Sequence, residues 1–349
     1  MPDAVQTSRE AALQTLFEAL QPLSLAPLWT QYRAMLTPTP QGKARPYLWR
    51  YAELRPHLLR TGELISTREA ERRVLMLMNP GLEGQAAATS TLFAGMQLIL
   101  PGEIARAHRH SPSALRVVVE GCGAYTAVDG ERCLMEPGDL ILTPSWSWHD
   151  HGNESDAPMV WIDGLDMHIV NLLSASFREG YPGRTHPVTR PEGSAMAEAG
   201  YNLVPVDFEA RSQTSPIFNY PYHRTREALD QVSRLRAPDA CHGYKMHYIN
   251  PLNGKSAMPT ITTAMQLLPQ GFSSLPYRST AGTVFSVVEG HGAVTIGEQR
   301  FVLGPKDLFV VPSWHSYRLE AQSDLVIFSY SDRVVQEKLD LFREMRGND

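Results

Sequence analysis

The sequence predicts a mainly β protein built from two tandem jelly-roll barrels, with a helical N-terminal region and a C-terminal helix. From Thr91 onward, short strand-like runs are separated by Gly and Pro, which is typical of an antiparallel barrel. The pattern occurs twice, because Glu120-Gly121-x-Gly123 recurs as Glu289-Gly290-x-Gly292 and TPSWSWH recurs as VPSWHSY. An internal repeat of this length indicates two copies of one barrel.

These signals divide the chain into five predicted segments. They are a helical region (1–90), a first barrel (91–185), a connecting region (186–258), a second barrel (259–333) and a C-terminal helix (334–349). In the helical region, Ser8 and Thr67 are candidate helix caps, and Met76 and Met78 are expected to pack inside. The connecting region is expected to contain a helix from about Thr225 to Leu235 and to pack on both barrels.

The composition favours a globular protein of the reducing cytoplasm. At 349 residues, with 43% hydrophobic and 20% charged residues, the chain is long enough for two domain cores. A net charge of −5 predicts no nucleic-acid or membrane partner. Three cysteines without C-x-x-C spacing do not indicate a disulfide framework. No apolar run suits a signal peptide or a membrane span.

Three histidines carry the strongest chemical signal. His108 and His110 form an H-x-H pair in a strand-like run, so both imidazoles project from one face. His149 follows after two more strand-like runs. Three neutral imidazoles on a rigid sheet form a metal site with open positions, which is typical of catalytic rather than structural sites. The alternative is three ordinary strand histidines that are held by hydrogen bonds.

The spacing around these histidines resembles the two cupin motifs, at 102–121 and 138–153. Ala114 and Leu115 stand where many cupins have a Glu ligand, so the site is expected to contain three histidines only. The resemblance implies a bicupin, with two double-stranded β-helix barrels. The ligand positions of the second copy hold Tyr277, Ser279 and Tyr317. Only the first barrel is therefore expected to bind metal.

Longer segments resemble the gentisate 1,2-dioxygenase family, which includes relatives that cleave salicylate and 1-hydroxy-2-naphthoate. The likeness is clearest in LWRYAELRPHLLRTGELI (48–65), ERRVLMLMNPGL (71–82), TLFAGMQLILPGE (91–103), SALRVVVEGCGAYTAVDGER (113–132) and PGDLILTPSWSWHDHGN (137–153). The resemblance implies Fe(II), O2 and ring cleavage between the carboxyl-bearing carbon and the adjacent hydroxyl-bearing carbon. Gentisate would give maleylpyruvate, and the protein would be a homotetramer.

A substrate carboxylate needs a nearby cation, and Arg116 is the best candidate. Within the apolar run SALRVVVE it would otherwise be a costly unpaired charge, unless it faces outward or pairs with a structural acid. His151 shares a strand face with His149 and could exchange a proton with a ring hydroxyl, or it could lie outside the reaction. Asp163 resembles a family acid that orients His151 or accepts from the 5-hydroxyl of gentisate; otherwise it is an ordinary turn residue.

The resemblance implies further substrate-binding residues. Gln97 looks like the polar pocket residue of the family, and Trp146 is expected to shape the pocket wall or the barrel core. Arg68 and Arg72 lie four residues apart on one predicted helix, so they would project from one face and hold the substrate carboxylate. Alternatively, they form a solvated face that pairs with neighbouring glutamates.

Three alternatives to gentisate cleavage stay open at this point. The first is a salicylate or 1-hydroxy-2-naphthoate 1,2-dioxygenase, since these activities differ by a few pocket residues. The second is a zinc or manganese bicupin that isomerises or decarboxylates its substrate without oxygen, although loss of the Glu ligand disfavours manganese. The third is a binding or storage bicupin, which the retention of the histidines in one barrel alone disfavours.

Overall fold

The computed structural model describes residues 2–347, with side chains from Gln6 onward except that of Thr7. The residues up to 41 form a separate unit with helices α1 (Pro2–Leu20) and α2 (Tyr32–Met35) and with 3-10 turns at Gln21–Leu23 and Leu28–Thr30. Ser8 lies inside α1, so its predicted role as a cap is wrong. In the described part of the chain, no helix combines the length and apolar character needed to cross a membrane.

The unit from residue 42 onward contains the other helices of the described chain. They are α3 (Tyr51–Leu64), α4 (Thr67–Ala70), α5 (Met167–Leu172), α6 (Ser194–Ala199), α7 (Tyr222–Leu235) and α8 (Arg333–Lys338). The helix predicted from about Thr225 to Leu235 is confirmed in α7, which begins three residues earlier. Tyr222 of α7 donates its backbone N–H to Asp139 and its hydroxyl to Glu289, so this helix contacts both repeats.

Most of this unit is strand. The strands are β1 (Tyr47–Trp49), β2 (Val74–Met76), β3 (Phe93–Ile99), β4 (Ile104–His110), β5 (Ala114–Glu120), β6 (Ala124–Val128), β7 (Glu131–Leu134), β8 (Leu140–Thr143), β9 (His149–Asn153), β10 (Met159–Leu165), β11 (Arg178–Gly180), β12 (Asn219–Tyr220), β13 (Tyr244–His247), β14 (Thr262–Leu268), β15 (Tyr277–Ser279), β16 (Thr283–Glu289), β17 (Gly292–Ile296), β18 (Gln299–Leu303), β19 (Leu308–Val311), β20 (Tyr317–Ala321), β21 (Leu325–Ser331) and β22 (Glu344–Arg346). The mainly β prediction is confirmed.

The strands form four antiparallel sheets that make two barrels. The first barrel has the sheets β12-β8-β5-β10-β3-β2 and β11-β4-β9-β6-β7. The second has β1-β19-β16-β21-β14-β13 and β18-β17-β20-β15-β22. The two tandem barrels that the repeat predicted are therefore present. The strand β1, from the region predicted to be helical, extends a sheet of the second barrel by pairing with β19.

The repeat is visible in backbone geometry as well as in sequence. Gly121 and Gly290 occupy matching turns with φ of +88° and +83°. A Cβ at Gly121 would lie 2.6 Å from the carbonyl oxygen of Pro158, and at Gly290 it would lie 1.9 Å from that of Asp324. Both turns therefore require glycine for conformation and for space. The first barrel also contains a tight hairpin, in which Asp129 and Gly130 join β6 to β7 and both have positive φ.

Three local predictions need correction. The cap of α4 is Ser66 rather than Thr67, because Ser66 and Glu69 form a reciprocal capping box. Met76 and Met78 are 51% and 45% exposed, so neither packs inside as predicted. Short strand β2, not a continued helix, holds Met76 at the edge of its sheet.

The C-terminal helix is shorter than predicted. Asp332 precedes α8, which ends at Lys338, and the chain then forms strand β22, which pairs with β15. The backbone after α8 therefore forms hydrogen bonds with the edge of β15 instead of continuing the helix. The last two residues of the predicted helix lie outside the described part of the chain. The five segment boundaries stay a prediction.

Substitution of Leu98 by Ala should destabilise the fold. Leu98 has no exposed surface and shares a core cluster with Leu58 of α3. We expect a loss of about 2–5 kcal/mol in the free energy of unfolding, because truncation leaves a cavity. Urea denaturation measures it, with Val302→Ala, at a half-exposed strand position, as the control. Equal stability of both variants would contradict the packing described.

Candidate active site

Two paired strands position the three histidines. His108 and His110 alternate with Arg109 along β4, so their imidazoles share one face and the Arg109 side chain projects from the other. His149 of β9 is the direct cross-strand partner of His108. The ring centroids are 4.4 Å apart for His108 and His149, and 4.8 Å apart for His110 and His149. The three imidazoles each offer one nitrogen to a metal, and these nitrogens lie within 4.8 Å of one another. Among the described residues, this is the group of side chains that could hold a metal ion.

Hydrogen bonds to the backbone orient the rings. The Nδ1 of His110 lies 2.7 Å from the carbonyl oxygen of Pro112, and the Nδ1 of His149 lies 3.0 Å from that of Ser147. A ring that donates its Nδ1–H to a carbonyl carries its lone pair on Nε2. The buried Nε2 of His149 has no hydrogen-bond partner. An unpaired acceptor at this position fits a metal ion.

The surroundings keep the imidazoles neutral, which is the form that binds metal. Burial, followed by the charge of Arg72, lowers the pKa of His108 to about 2. Burial lowers the pKa of His110 to about 4. Burial also depresses the pKa of His149, and the charges of His108 and Arg116 add to this effect. The three side chains can therefore supply three neutral nitrogen ligands.

Arg72 lies directly beside the cluster. Its Nη2 is 2.6 Å from the Nδ1 of His108 and donates at 2.8 Å to the carbonyl oxygen of Arg106. A guanidinium can only donate, so this contact requires an Nδ1 without a proton. A metal on Nε2 of His108 requires the opposite tautomer, with Nδ1–H directed to the carbonyl of Arg106, 3.3 Å away. Metal binding therefore requires Arg72 to release His108.

A second cation, Arg116, is held inside the first barrel. Arg116 of β5 and Asp163 of β10 are cross-strand partners, and their Nε and Oδ1 atoms are 3.3 Å apart. Both side chains are almost fully buried. Arg116 also donates to the Thr143 hydroxyl at 2.6 Å, and Trp161 donates its indole N–H to Asp163 at 3.1 Å. The sequence analysis did not single out Thr143 or Trp161, which orient Arg116 and Asp163. The alternation of side chains along β10, which places Trp161 on the same face as Asp163, was the signal that could have found Trp161.

His151 lies next to the triad on the same face of β9. Its ring centroid is 5.8 Å from that of His149 and 5.5 Å from that of Trp161. The Nδ1 of His151 is 2.9 Å from the Thr126 hydroxyl oxygen, whose own hydrogen can go to the sulfur of Met135. The buried Nε2 of His151 has no partner. Asp163 makes no recorded hydrogen bond to His151; Trp161 stands between them.

Of the other predicted substrate residues, Gln97 lies inside the first barrel and Arg68 lies on the surface. Gln97 is buried on β3 opposite Trp161, so it faces the same barrel interior as Arg116. Arg68 is exposed and is not brought to the imidazoles. Because α4 ends at Ala70, Arg68 and Arg72 do not share a helical face, and that prediction is wrong. Only Arg72 reaches His108.

Trp146 faces outward and does not belong to the barrel core, which was one of its two predicted places. It is 39% exposed, and the guanidinium of Arg109 lies 4.6 Å from its ring, on the outer face of β4. Its φ is +62°, and its backbone N–H donates to the carbonyl of His110. Trp314 repeats this geometry in the second barrel, with φ of +64° and Arg278 over its ring. Trp146 therefore belongs to a turn that both barrels share.

The second barrel places tyrosines where the first has metal-ligating histidines. Tyr277 of β15 pairs with Tyr317 of β20, as His108 pairs with His149. The hydroxyl of Tyr277 donates to Glu344 at 2.7 Å. Two sheets with the same register thus present different chemistry. Fold and site together define a two-barrel metal-binding protein with its three-histidine centre in the first barrel.

Comparisons with known proteins agree with this architecture. Residues 95–165 and 264–330 each match the cupin domain. Gentisate 1,2 dioxygenase 1 of Aquipseudomonas alcaligenes is 52% identical over 331 residues, which cover 95% of each chain. 5-Aminosalicylate 1,2-dioxygenase of a Comamonas species is 36% identical over 98% of this chain and 91% of that one.

A solved structure extends the agreement to three dimensions. Salicylate 1,2-dioxygenase of Pseudoaminobacter salicylatoxidans, described as adducts with gentisate, superposes with a TM-score of 0.92 at 35% identity, over 97% of this chain and 94% of that one. The chain belongs to the gentisate 1,2-dioxygenase family of bicupin ring-cleaving dioxygenases. The predicted family and bicupin fold are confirmed.

Substitution of His108, His110 or His149 by Ala should remove bound metal. Each variant loses one of three ligands from a site that has no fourth protein ligand among the described residues, so affinity should fall by at least tenfold. Metal content after gel filtration measures the effect. His315→Ala is the matched control, since His315 also directs Nδ1 to the carbonyl two residues before it but lies in the second barrel. A triad variant with full metal content would remove that histidine from the ligand set.

Proposed function

We propose that this protein cleaves the aromatic ring of gentisate with O2. The bond between the carboxyl-bearing carbon and the adjacent hydroxyl-bearing carbon breaks, and both oxygen atoms enter the product, maleylpyruvate. The 52% identity to a gentisate 1,2 dioxygenase over 95% of the chain carries this proposal. The three-histidine cluster with two arginines beside it supports the same chemistry.

We propose Fe(II) as the metal, held by His108, His110 and His149. Nitrogen ligands without a carboxylate suit a first-row metal, and three protein ligands leave positions open for other molecules. The unpaired Nε2 of His149 and the neutral state of the rings fit this ion. Ferrous iron, when bound, supplies redox coupling between an electron-rich ring and molecular oxygen.

Arg72 and Arg116 are the proposed partners of the substrate carboxylate. The charges of Arg116 and Arg72 both act on His110, which places them close to the cluster. Arg116 is held in position by Asp163 and Thr143, whereas Arg72 must leave His108 when metal binds. The freed guanidinium can then pair with the anion. Arg68 is not part of this proposal, because its side chain is exposed.

His151 is the proposed partner of a ring hydroxyl. Its Nε2 is buried without a hydrogen bond, and Thr126 fixes the other nitrogen. A ring that donates Nδ1–H to Thr126 can accept a hydrogen bond from a substrate hydroxyl at Nε2. Gln97 and Trp161 lie on the facing sheet, where they would contact the other side of the aromatic ring of the substrate. Asp163 contributes by holding Arg116 rather than by orienting His151 directly.

A homotetramer in the cytoplasm is the proposed state of the protein. Leu172 and Phe177, which follow one another closely after β10, are 83% and 67% exposed and offer apolar surface for subunit contacts. The cysteines of the described chain are free, which suits a reducing compartment. Size-exclusion chromatography with light scattering tests the oligomeric state.

Oxygen uptake by the metal-free protein after addition of Fe(II), Mn(II), Co(II) or Zn(II) tests the activity and the metal together. We expect one O2 consumed per gentisate with Fe(II), and slower or no uptake with salicylate, 5-aminosalicylate and 1-hydroxy-2-naphthoate. Faster uptake with salicylate would reassign the substrate. Full iron content without uptake on any of these acids would reject the dioxygenase assignment.

Substitution of Arg116 by Met should weaken gentisate binding and leave iron bound. The variant removes the cation but keeps an unbranched side chain, so KM should rise by at least tenfold, consistent with about 1.4 kcal/mol or more of lost interaction. Steady-state kinetics with iron analysis measure it. Because Asp163 loses its partner, the double variant Arg116→Met/Asp163→Asn controls for the unpaired acid. An unchanged KM in both variants would exclude a carboxylate role.

A further inference from the structure

The second barrel contains a cavity of about 370 Å³ at the position of the metal site in the first. Its lining includes Tyr277 and Tyr317, which stand at the metal-ligand positions, together with the basic residues His242, Lys245, Arg333 and Arg346 and the acids Asp239 and Glu344. This volume lies within the range of small-molecule sites, about 300–1,000 Å³. The metal-free barrel has therefore kept an interior space while losing the ligands.

The repeat shows how the interior charges have been rearranged. Phe285 and Ser329 are cross-strand partners in the second barrel, at the positions of Arg116 and Asp163 in the first. The buried ion pair of the first barrel is thus absent from these positions. A new cation, Lys245, stands on β13 opposite Gln266, where Val74 stands opposite Gln97. Its ammonium lies 6.0 Å from the centre of the Phe285 ring.

Lys245 has no acidic partner in the described chain. No carboxylate oxygen of the described residues lies within 4.0 Å of its ammonium, because the acids of the same cavity pair with arginines, Asp239 with Arg346 and Glu344 with Arg333. Burial, followed by the charge of Arg333, lowers the pKa of Lys245 to about 8. Glu344 and Asp239 act on Lys245 only from beyond ion-pair distance, so its partly buried charge has no direct partner unless an anion occupies the site.

Uncharged groups in the same interior are also unpaired. Gln266 lies opposite Lys245 but does not itself line the cavity; it is fully buried, and neither its Oε1 nor its Nε2 has a hydrogen-bond partner. The Nδ1 of His242 is buried and unpaired as well. The His242 ring lies 4.4 Å from that of Tyr277, so this unpaired nitrogen adjoins an aromatic side chain of the cavity. Unpaired buried polar atoms of this kind can be satisfied by water or by a polar molecule in the cavity.

We propose that the second barrel is a non-catalytic binding site for a small organic carboxylate. The carboxylate pairs with Lys245, His242 supplies a hydrogen bond, and the rings of Tyr277 and Tyr317 contact the apolar body. The aromatic walls favour an organic acid over inorganic phosphate. No metal takes part, because tyrosine and serine replace the histidines.

Binding of radiolabelled benzoate to the metal-free, full-length protein tests this site by equilibrium dialysis. We expect a binding component that is retained in Arg116→Met and weakened at least tenfold in Lys245→Met. Lys245→Arg should preserve it, because the charge remains, and Lys255→Met is the exposed control. Gentisate turnover by iron-loaded Lys245→Met should equal that of the wild type, which shows that the variant is folded.

Gln266→Glu provides a second variant of nearly identical shape. The new carboxylate opposite Lys245 should occupy the place of the ligand and abolish the same component. Benzoate binding that is unchanged in Lys245→Met and Gln266→Glu, or that disappears entirely in Arg116→Met, would overturn the proposal. Displacement of benzoate by an equal concentration of inorganic phosphate would overturn the assignment to an organic carboxylate.

Discussion

The pairing of His108 with His149 across β4 and β9 is the constraint on which the site depends. Side chains alternate along a strand, so this register places His110 and His151 on the same face as the pair and sends Arg109 to the other face. A slip of one residue would reverse every one of these directions. The rings therefore owe their convergence to a ladder of backbone hydrogen bonds, not to attraction among themselves. The carbonyls that receive the Nδ1 hydrogens belong to the same rigid backbone, so position and tautomer are set together.

The second barrel shows that this ladder does not need the metal. Tyr277 and Tyr317 pair in the same register, and the Trp146 turn recurs at Trp314 with the same left-handed φ. The interior of a barrel can thus change its chemistry while the strands keep their pairing. At matching interior positions, the first barrel has the ion pair of Arg116 and Asp163, whereas the second has Phe285 and Ser329. The side chains that face the interior of each barrel are therefore free to vary while the strand pairing is kept.

The sequence predicted the barrels, the triad and the buried Arg116 because each depends on local spacing or on repetition. It failed where a partner distant in the chain decided the outcome. The helix at Thr67 stops after one turn because the following residues pair with β3 as an edge strand, which separates Arg68 from Arg72. Trp146 was expected at the pocket wall or in the barrel core because it is near His149 in sequence, but its left-handed φ turns the ring outward against Arg109. Thr143 and Trp161 became visible only through contacts across strands.

Charge balance connects metal binding to substrate binding. The three neutral imidazoles contribute no negative charge, and of the two cations nearby only Arg116 has an acid, Asp163, beside it. The guanidinium of Arg72 instead donates to His108 and to a backbone carbonyl, neither of which neutralises it. A divalent metal held by Nε2 of His108 would favour the neutral tautomer whose hydrogen is on Nδ1, and the contact with Arg72 would then lie between two donors. In the proposed function, a bound metal would add positive charge and Arg72 would be released, and both changes would favour an anionic substrate. As long as Arg72 donates to His108, its guanidinium would be less available to that anion.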